Sequence, residues 1–553
     1  MELNQEILQK FERAKKLRQP WEKDWEEITR FILPRREDWQ DTANRAKRIG
    51  TNVYDGTAIG AASLMANGFV GYVMSPNVPW FRLGTEHEGI MRVPGVREWL
   101  EDSEKTLYND FRRSNLYEQA IEYFRDGCTI ATATMYCDNR VGTNTIRFST
   151  RHPKEIYIAE GEEETIDTWF RKFWITARAA EQKFGYDNLS QAVKNLCEKN
   201  PYEMIPVVHA VFPREDRDVT KIDNKNKRFA SVYVEADADK SVLRESGYDQ
   251  SPYLTWRWST NSDELYARGP GHDVLVDVKK INHMSKGLMR LTQMATDPPL
   301  NVPDEMRNRL QWEPGGRNFY SQPDMIIQPA QIGANFPVGF DREENLKRSI
   351  EQAYMVDFFL MLQRAPQQMT ATEVMERQAE KAAIMGPILG RLTTDFLNPL
   401  IQTAFRFAIE AGRIPVPPPE VMEILQGEMK VEYIGPLAQA QKQFHTTHGI
   451  DHSLAALGPI AQFDPNVLDN IDFDVLAREA VEAHGIPQRA IRKEKEVAAR
   501  REEKMRAEQE AMQMQQIQEL GKSPGLNKRP EPGSPMEMLN EAANQQSIPQ
   551  GAE

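Results

Sequence analysis

Two helical stretches of similar length, Asp273 to Thr296 and Asp341 to Gln363, bracket a segment crowded with proline and glycine. This repeated reach narrows the possible folds more than any other feature. At the usual rise each helix runs about 35 Å. Pro298-Pro299 through Gly339 cannot continue either helix, because proline lacks the backbone donor and clashes with the preceding turn. The chain therefore goes out along one rod and returns along another, with a folded tip between them. Such an antiparallel pair suits a projecting stalk better than the closed pocket of a metabolic enzyme.

The remaining composition fits long exposed helices attached to a smaller compact part. The chain has 553 residues, of which 40% are hydrophobic, a share below the globular norm; the length suggests roughly three to four domains. No run of about 18 apolar residues occurs, and the charged N-terminus lacks signal-peptide regions. A soluble protein made in the cytosol, with no membrane insertion, is expected. Cys128, Cys137 and Cys197 form no CxxC pair, so reduced structural thiols are expected. The net charge of −13 argues against coating nucleic acid through a broad basic surface. It is compatible with a conduit whose acidic wall keeps DNA from sticking.

Along the chain, Pro20 opens a predicted amphipathic helix with Trp21, Trp25, Ile28 and Ile32 on one face. Asp55 is the expected cap of the next helix, and a third helical region runs from about Val96 to Ala131. From Thr143 to Trp258 apolar and polar residues alternate: Thr145 to Phe148, Trp169 to Trp174, Val207 to Val211 and Ser231 to Glu235 read as strands of an antiparallel sheet. A helix from Ala177 to Glu198 interrupts them, so the fold class is α+β. Beyond the rods, Thr370 and Glu373 form a capping box that opens a stretch toward Ala411, divided at Pro387 and Pro399. Helices are expected over Gln439 to Gly458 and Asp474 to Ala483, and exposed helix over Arg489 to Leu520. The tail after Gly521 has the composition of a disordered segment.

Several of these segments, in order, resemble the head-to-tail connector, or portal, proteins of T7-like short-tailed bacteriophages. The likeness rests on Trp25 through Pro34, Tyr54-Asp55 with Leu64, and Ser75-Pro76 before Trp80-Phe81-Arg82-Leu83. It continues through Tyr266-Ala267-Arg268-Gly269-Pro270-Gly271, Met369 to Val374, and Gly386-Pro387 to Arg391-Leu392. The family usually has glycine where this chain has Ala267. The resemblance implies a phage portal fold, a dodecameric ring around a central channel, with residues 1–271 as wing, 272–297 and 341–363 as stem helices, and 298–340 as clip. Residues 364–369 would be a tunnel loop, 370–438 a helix returning to the wing with its connection, 439–520 a mainly helical crown, and 521–553 a disordered tail. Implied partners are double-stranded DNA passing without sequence recognition, the terminase large subunit, major capsid and scaffold proteins, and tail adaptor and nozzle proteins. The implied place is the portal vertex of the virion.

Lys279, His283, Lys286 and Arg290 fall on one stripe of the first rod, opposite Val274, Val278, Ile281 and Leu288. Turned toward a channel, the stripe would stack cationic rings along the phosphates of moving DNA. Equally open is a solvated outer face, or pairing with Glu343, Glu344 and Glu351 of the second rod. Arg364, Gln367 and Gln368 of the polar junction would touch DNA if it is a tunnel loop; without the resemblance it reads as an ordinary connector.

Other chemistry has weaker support. His445, His448 and His452 share a helical face but complete no known metal signature, and Glu160 to Glu164 read as a solvated turn rather than a two-metal site. Neither G-x-x-x-x-G-K-[ST] nor H-E-x-x-H occurs, so the packaging motor's phosphate loop and the zincin site are missing; G-x-S-x-G occurs once, at Gly521 to Gly525, at the start of the low-complexity tail. No catalytic residue, metal or cofactor is expected. The alternatives are a metal-dependent DNA-processing enzyme and a scaffold-like assembly protein. Trp169, Trp174, Trp256 and Trp258 are expected in the core rather than at an interface.

Overall fold

The first helix, α1 (Leu3–Phe31), runs through Pro20 instead of starting there. Pro20 lies on the exposed side, where the carbonyl left without its donor is solvated. The buried side carries Ile7, Phe11, Ala14, Arg18, Trp25 and Ile28 at helical spacing. The structure is a computed structural model that describes residues 3–39, 50, 52–84, 94–140, 145–218, 220–221, 223–236, 242–297, 300–302, 311, 317, 319, 328–329, 336–363, 385–415, 417, 430–435, 472–477 and 494–521.

Helix α2 (Thr57–Val73) is lined with alanines and buried along most of its length. The N-cap is Gly56, one residue later than expected, and the Asp55 carboxylate just before it accepts from the Thr57 N–H at 2.9 Å. After strand β1 (Phe81–Gly84), the expected helix from Val96 to Ala131 is two helices, α3 (Pro94–Arg113) and α4 (Leu116–Thr129). Asn115 sits at the break. Its amide donates to the Phe148 carbonyl at 2.9 Å and its oxygen accepts from the Phe148 N–H at 3.0 Å, a side-chain imitation of strand pairing.

The alternating segments are strands as read: β2 (Thr132–Arg140), β3 (Thr145–Arg151), β4 (Ile156–Glu160), β5 (Ile166–Thr176), β6 (Met204–Pro213), β7 (Phe229–Glu235), β8 (Val242–Tyr248) and β9 (Tyr253–Arg257). They make two antiparallel sheets, ordered β3-β2-β9 and β4-β5-β6-β7-β8. The helix expected from Ala177 to Glu198 is split into α5 (Ala177–Phe184) and α6 (Gln191–Lys199), because Gly185 takes φ +85° and ends α5. The five-stranded sheet is covered on both faces. Ile7, Phe11 and Ala14 of α1 pack with Tyr157, Phe170, Val208 and Val232, whereas Phe184 and Val193 pack with Phe173, Val207 and Tyr233. Double coverage explains why β6 reads as an almost continuous apolar run.

Arg18 ties α1 to this sheet. Its guanidinium donates to the carbonyls of Pro153, Lys154 and Ile156 at 2.8 to 3.0 Å, pairs with Glu22 at 2.7 Å, and stacks 3.6 Å from the Tyr157 ring centre. Polar groups also bridge the two sheets. His209 of β6 lies between the hydroxyls of Tyr253 and Ser231, 2.9 Å from each, and Trp169 donates to Thr255 at 2.9 Å.

The first rod is α7 (Pro270–Thr296), close to the expected range. A two-residue ladder, β10 (Leu300–Asn301) with β11 (Gln328–Pro329), closes the base of the tip. The second rod is corrected: α8 (Phe336–Ala353) begins before Asp341, and the helix breaks at Tyr354-Met355 before α9 (Val356–Gln363). Met355 has φ +51° there. Farther on, α10 (Gly386–Leu392), a π-helical turn at Thr393–Leu397 and α11 (Asn398–Glu410) carry Pro387 and Pro399 at helix starts. The π turn brings Phe396 onto Tyr123, with ring centres 4.2 Å apart. Strand β12 (Lys430–Tyr433) then pairs antiparallel with β1, and Trp99 donates to the Pro415 carbonyl at 2.8 Å.

The main core joins α2, α4, β2, β9 and α11 around Phe69, Phe124, Trp256 and Leu400. Trp169, Trp256 and Trp258 are buried as expected; Trp174 is half-buried. A second unit, residues 457–553, contains one described turn of helix at 473–477 and the exposed helix α12 (Glu494–Gly521). Arg501 of α12 holds both oxygens of Asp474 at 2.6 Å. The Thr370 and Glu373 capping box, the helix expected over Gln439 to Gly458, and the tail after Gly521 lie outside the described residues.

Candidate nucleic-acid interface

The start of α7 is fixed by close backbone contact. Gly271 lies against the end of α4 so tightly that a Cβ there would stand 2.1 Å from the Thr129 carbonyl oxygen. This accounts physically for glycine at the end of Arg268-Gly269-Pro270-Gly271. Ala267, which replaces the usual family glycine, has no positive φ and donates to the Thr132 hydroxyl at 3.2 Å, so the backbone needs no glycine there. Arg268 stacks 4.6 Å from the Trp21 ring centre. Burial, then the nearby Arg268 charge, holds the His272 imidazole down to about 4.

From this base Val274, Val278 and Ile281 point into the core. The neighbouring rod is held by Ser285 donating to Glu343 at 3.3 Å and Ser349 donating to Asp277 at 3.1 Å. Lys347 pairs with Glu343 at 2.9 Å, and that hydrogen bond raises the ammonium above its usual range. On α7's other flank, Asn282 accepts from the Tyr54 N–H at 2.7 Å and donates to the Asn52 carbonyl at 2.9 Å.

The four stripe residues divide into two pairs. Lys279 reaches Glu27 of α1 at 2.9 Å, and Lys286 lies 4.9 Å from the Tyr54 ring centre. Pairing with the second rod, one of the open readings, is not what the lysines do; Glu343 is taken by Lys347, and Glu344 by Arg348 at 2.5 Å. His283 and Arg290 are exposed and have no hydrogen bond or ion pair among the described residues. The sequence carried no signal for Glu27, Tyr54 or Asn52 as neighbours of α7, since each is more than two hundred positions away.

Arg364, Gln367 and Gln368 lie outside the described residues, as do His445, His448 and His452. Glu160 ends β4 and pairs with Arg257, and Gly161 to Glu164 form the turn to β5, with Glu162 to Glu164 exposed and Glu164 at φ +56°. No group of three metal-ligating side chains occurs among the described residues, and no helix among them is long and apolar enough to cross a membrane. The three cysteines are unpaired; burial pushes the Cys128 and Cys137 thiols up.

Residues 4–491 match the family model described as bacteriophage head to tail connecting protein. The chain is 32% identical to the portal protein of Salmonella phage epsilon15 over 528 residues, covering 92% of each chain. It is 30% identical to the probable portal protein of Bordetella phage BPP-1 over 519 residues, again covering 92% of each. Among solved structures, a chain from the neck of an empty GTA particle aligns with 71% of this chain and 86% of its own, at 10% identity and a TM-score of 0.33. The chain belongs to the family of bacteriophage head-to-tail connecting proteins.

Proposed function

We propose that this chain is a portal protein, assembling into a ring, dodecameric in the capsid, at one vertex of the phage head. Its carrying observation is an antiparallel α7–α8 pair whose connecting segment is clamped by the β10–β11 ladder, in a chain matched along most of its length by portal proteins. In this reading the terminase motor threads DNA through the channel into the procapsid, and the same channel releases it during infection. The chain contributes geometry and charge rather than bond chemistry.

Residues 1–271 are assigned to the wing, 272–297 and 341–363 to the stem, 298–340 to the clip, 364–369 to a tunnel loop, 370–438 to the return toward the wing, and 439–520 to the crown. The clip docks the terminase large subunit and later the tail adaptor and nozzle, while the wing meets capsid and scaffold proteins. His283 and Arg290, without a partner among the described residues, are the core of the channel-facing stripe; Lys279 and Lys286 border it, and Arg364, Gln367 and Gln368 extend it. Cationic rings of this kind act on phosphate without reading bases.

Cryo-electron microscopy of the purified full-length chain, viewed down the particle axis, tests the architecture. A closed ring with an open centre is the expected result; monomers or irregular aggregates would overturn it. Replacing Lys279, Lys286 and Arg290 together by Gln is expected to change DNA packaging or retention with rings intact. Normal packaging by normal rings would remove the stripe from the channel.

A further inference from the structure

The break in the second rod has no local cause. Ala353-Tyr354-Met355-Val356 contains neither glycine nor proline, and these residues tolerate a helix interior. Periodicity alone therefore reads one rod through to Gln363. Instead Met355 takes φ +51°, a left-handed conformation that side chains with a Cβ disfavour. Its N–H donates to the Gln352 carbonyl at 3.0 Å, and its own carbonyl accepts from the Phe358 N–H at 3.0 Å. A continuous helix would use carbonyls four residues back.

A second mark of conflict stands beside it. Tyr354 is fully buried, and its hydroxyl has no hydrogen-bond partner among the described residues. Strain next to an unsatisfied buried polar group persists only where surrounding contacts impose it. The imposing contact is visible on α9. Phe359 lies over Gly68 of α2, where a Cβ would stand 2.2 Å from its ring, and its ring centre is 6.1 Å from that of Phe69. Local preference favours a straight rod, and the seat on α2 favours a bent one.

We infer that Tyr354-Met355 is a two-state joint: seating Phe359 on Gly68 holds the rod bent, and unseating it lets α8 and α9 merge into one continuous helix. The inference concerns how α9 is aimed relative to α8. It does not depend on the portal reading, because it is tested on the purified chain without DNA, capsid or tail.

The test is a distance across the joint. Spin labels at Asp341→Cys and Asp357→Cys, both exposed positions, are placed in a Cys197→Ser background and diluted into unlabelled chains. A continuous helix would separate the two Cα atoms by about 24 Å, and the bend shortens that distance. Pulsed electron resonance is expected to give the short distance for the parent. Gly68→Ala displaces the Phe359 ring, and Met355→Val burdens the left-handed residue; each is expected to add the long component. Met355→Gly, which accepts positive φ, should keep the short distance alone. If either of the first two folds with parental near-ultraviolet dichroism yet shows only the short distance, the joint is a fixed kink and the inference fails. A long component in Met355→Gly alone would overturn it equally.

Discussion

Trp256 is wholly buried, ringed by Phe69, Tyr123, Phe124 and Trp258 with ring centres 5.6 to 6.4 Å away. On the rods, Val276, Met289, Met294 and Phe340 are between 45% and 60% exposed. The sheet-bearing body closes on itself. The rod pair has one apolar seam, a few polar ties, and large side chains left facing outward. The difference teaches that packing in a single chain accounts for the body, whereas the rods keep surface that a ring of copies would cover.

The sharpest way to break this comparison is to excavate the body. Trp256→Ala should cost about 4 kcal/mol, read as a lowered denaturant midpoint; a loss under about 1 kcal/mol would mean that the aromatic cluster is not the keystone it looks. Gly271→Ala tests the close backbone contact between body and rod. The added Cβ meets backbone, which cannot rotate away, so about 3 kcal/mol of overpacking is expected, again by denaturant titration.

A pH series separates the regions further. Burial pushes the Glu104 carboxyl up to about 7. Its folded value thus lies above its unfolded one, so the folded state holds a proton that the unfolded chain releases. This contribution to stability is present below about pH 4.5 and is lost as pH rises through 7. Glu104→Gln should flatten the fall in melting temperature over that window; an unchanged slope would remove Glu104 as its source. His272, held down to about 4, acts with the opposite sign: stability is present above pH 6.5 and lost as pH falls toward 4.

The smallest effect belongs to the rod. Lys279 and Glu27 form an ion pair with side chains 45% and 43% exposed. A double-mutant cycle with Lys279→Gln and Glu27→Gln should give a coupling of no more than about 0.5 kcal/mol. A larger value would make the stripe structural and weaken its assignment to DNA.

How much was legible follows from where each cause resides. The strands were readable because alternation is local, as in Trp169 to Trp174, and the first rod because its apolar spacing and flanking prolines are local too. The breaks were not. Asn115 interrupts a helix to satisfy Phe148 of β3, and Met355 turns where Phe359 meets Gly68, both partners supplied from elsewhere in the chain. Pro20 misled in the opposite direction, since a proline's effect depends on whether the freed carbonyl faces water. For the candidate interface, periodicity put Lys279, His283, Lys286 and Arg290 on one face, but only the folded chain separates the tied lysines from His283 and Arg290, which have no ion pair among the described residues.

The pairing of β1 with β12 sets a timetable for the nascent chain. Phe81 to Gly84 leave the ribosome long before Lys430 to Tyr433, their only strand partners among the described residues. At common elongation rates the interval is roughly half a minute. Throughout it Phe81 and Leu83, buried in the finished molecule, stand on an open strand edge. Translation speed and chaperone supply therefore bear on how many chains reach the native state, before any copy meets another.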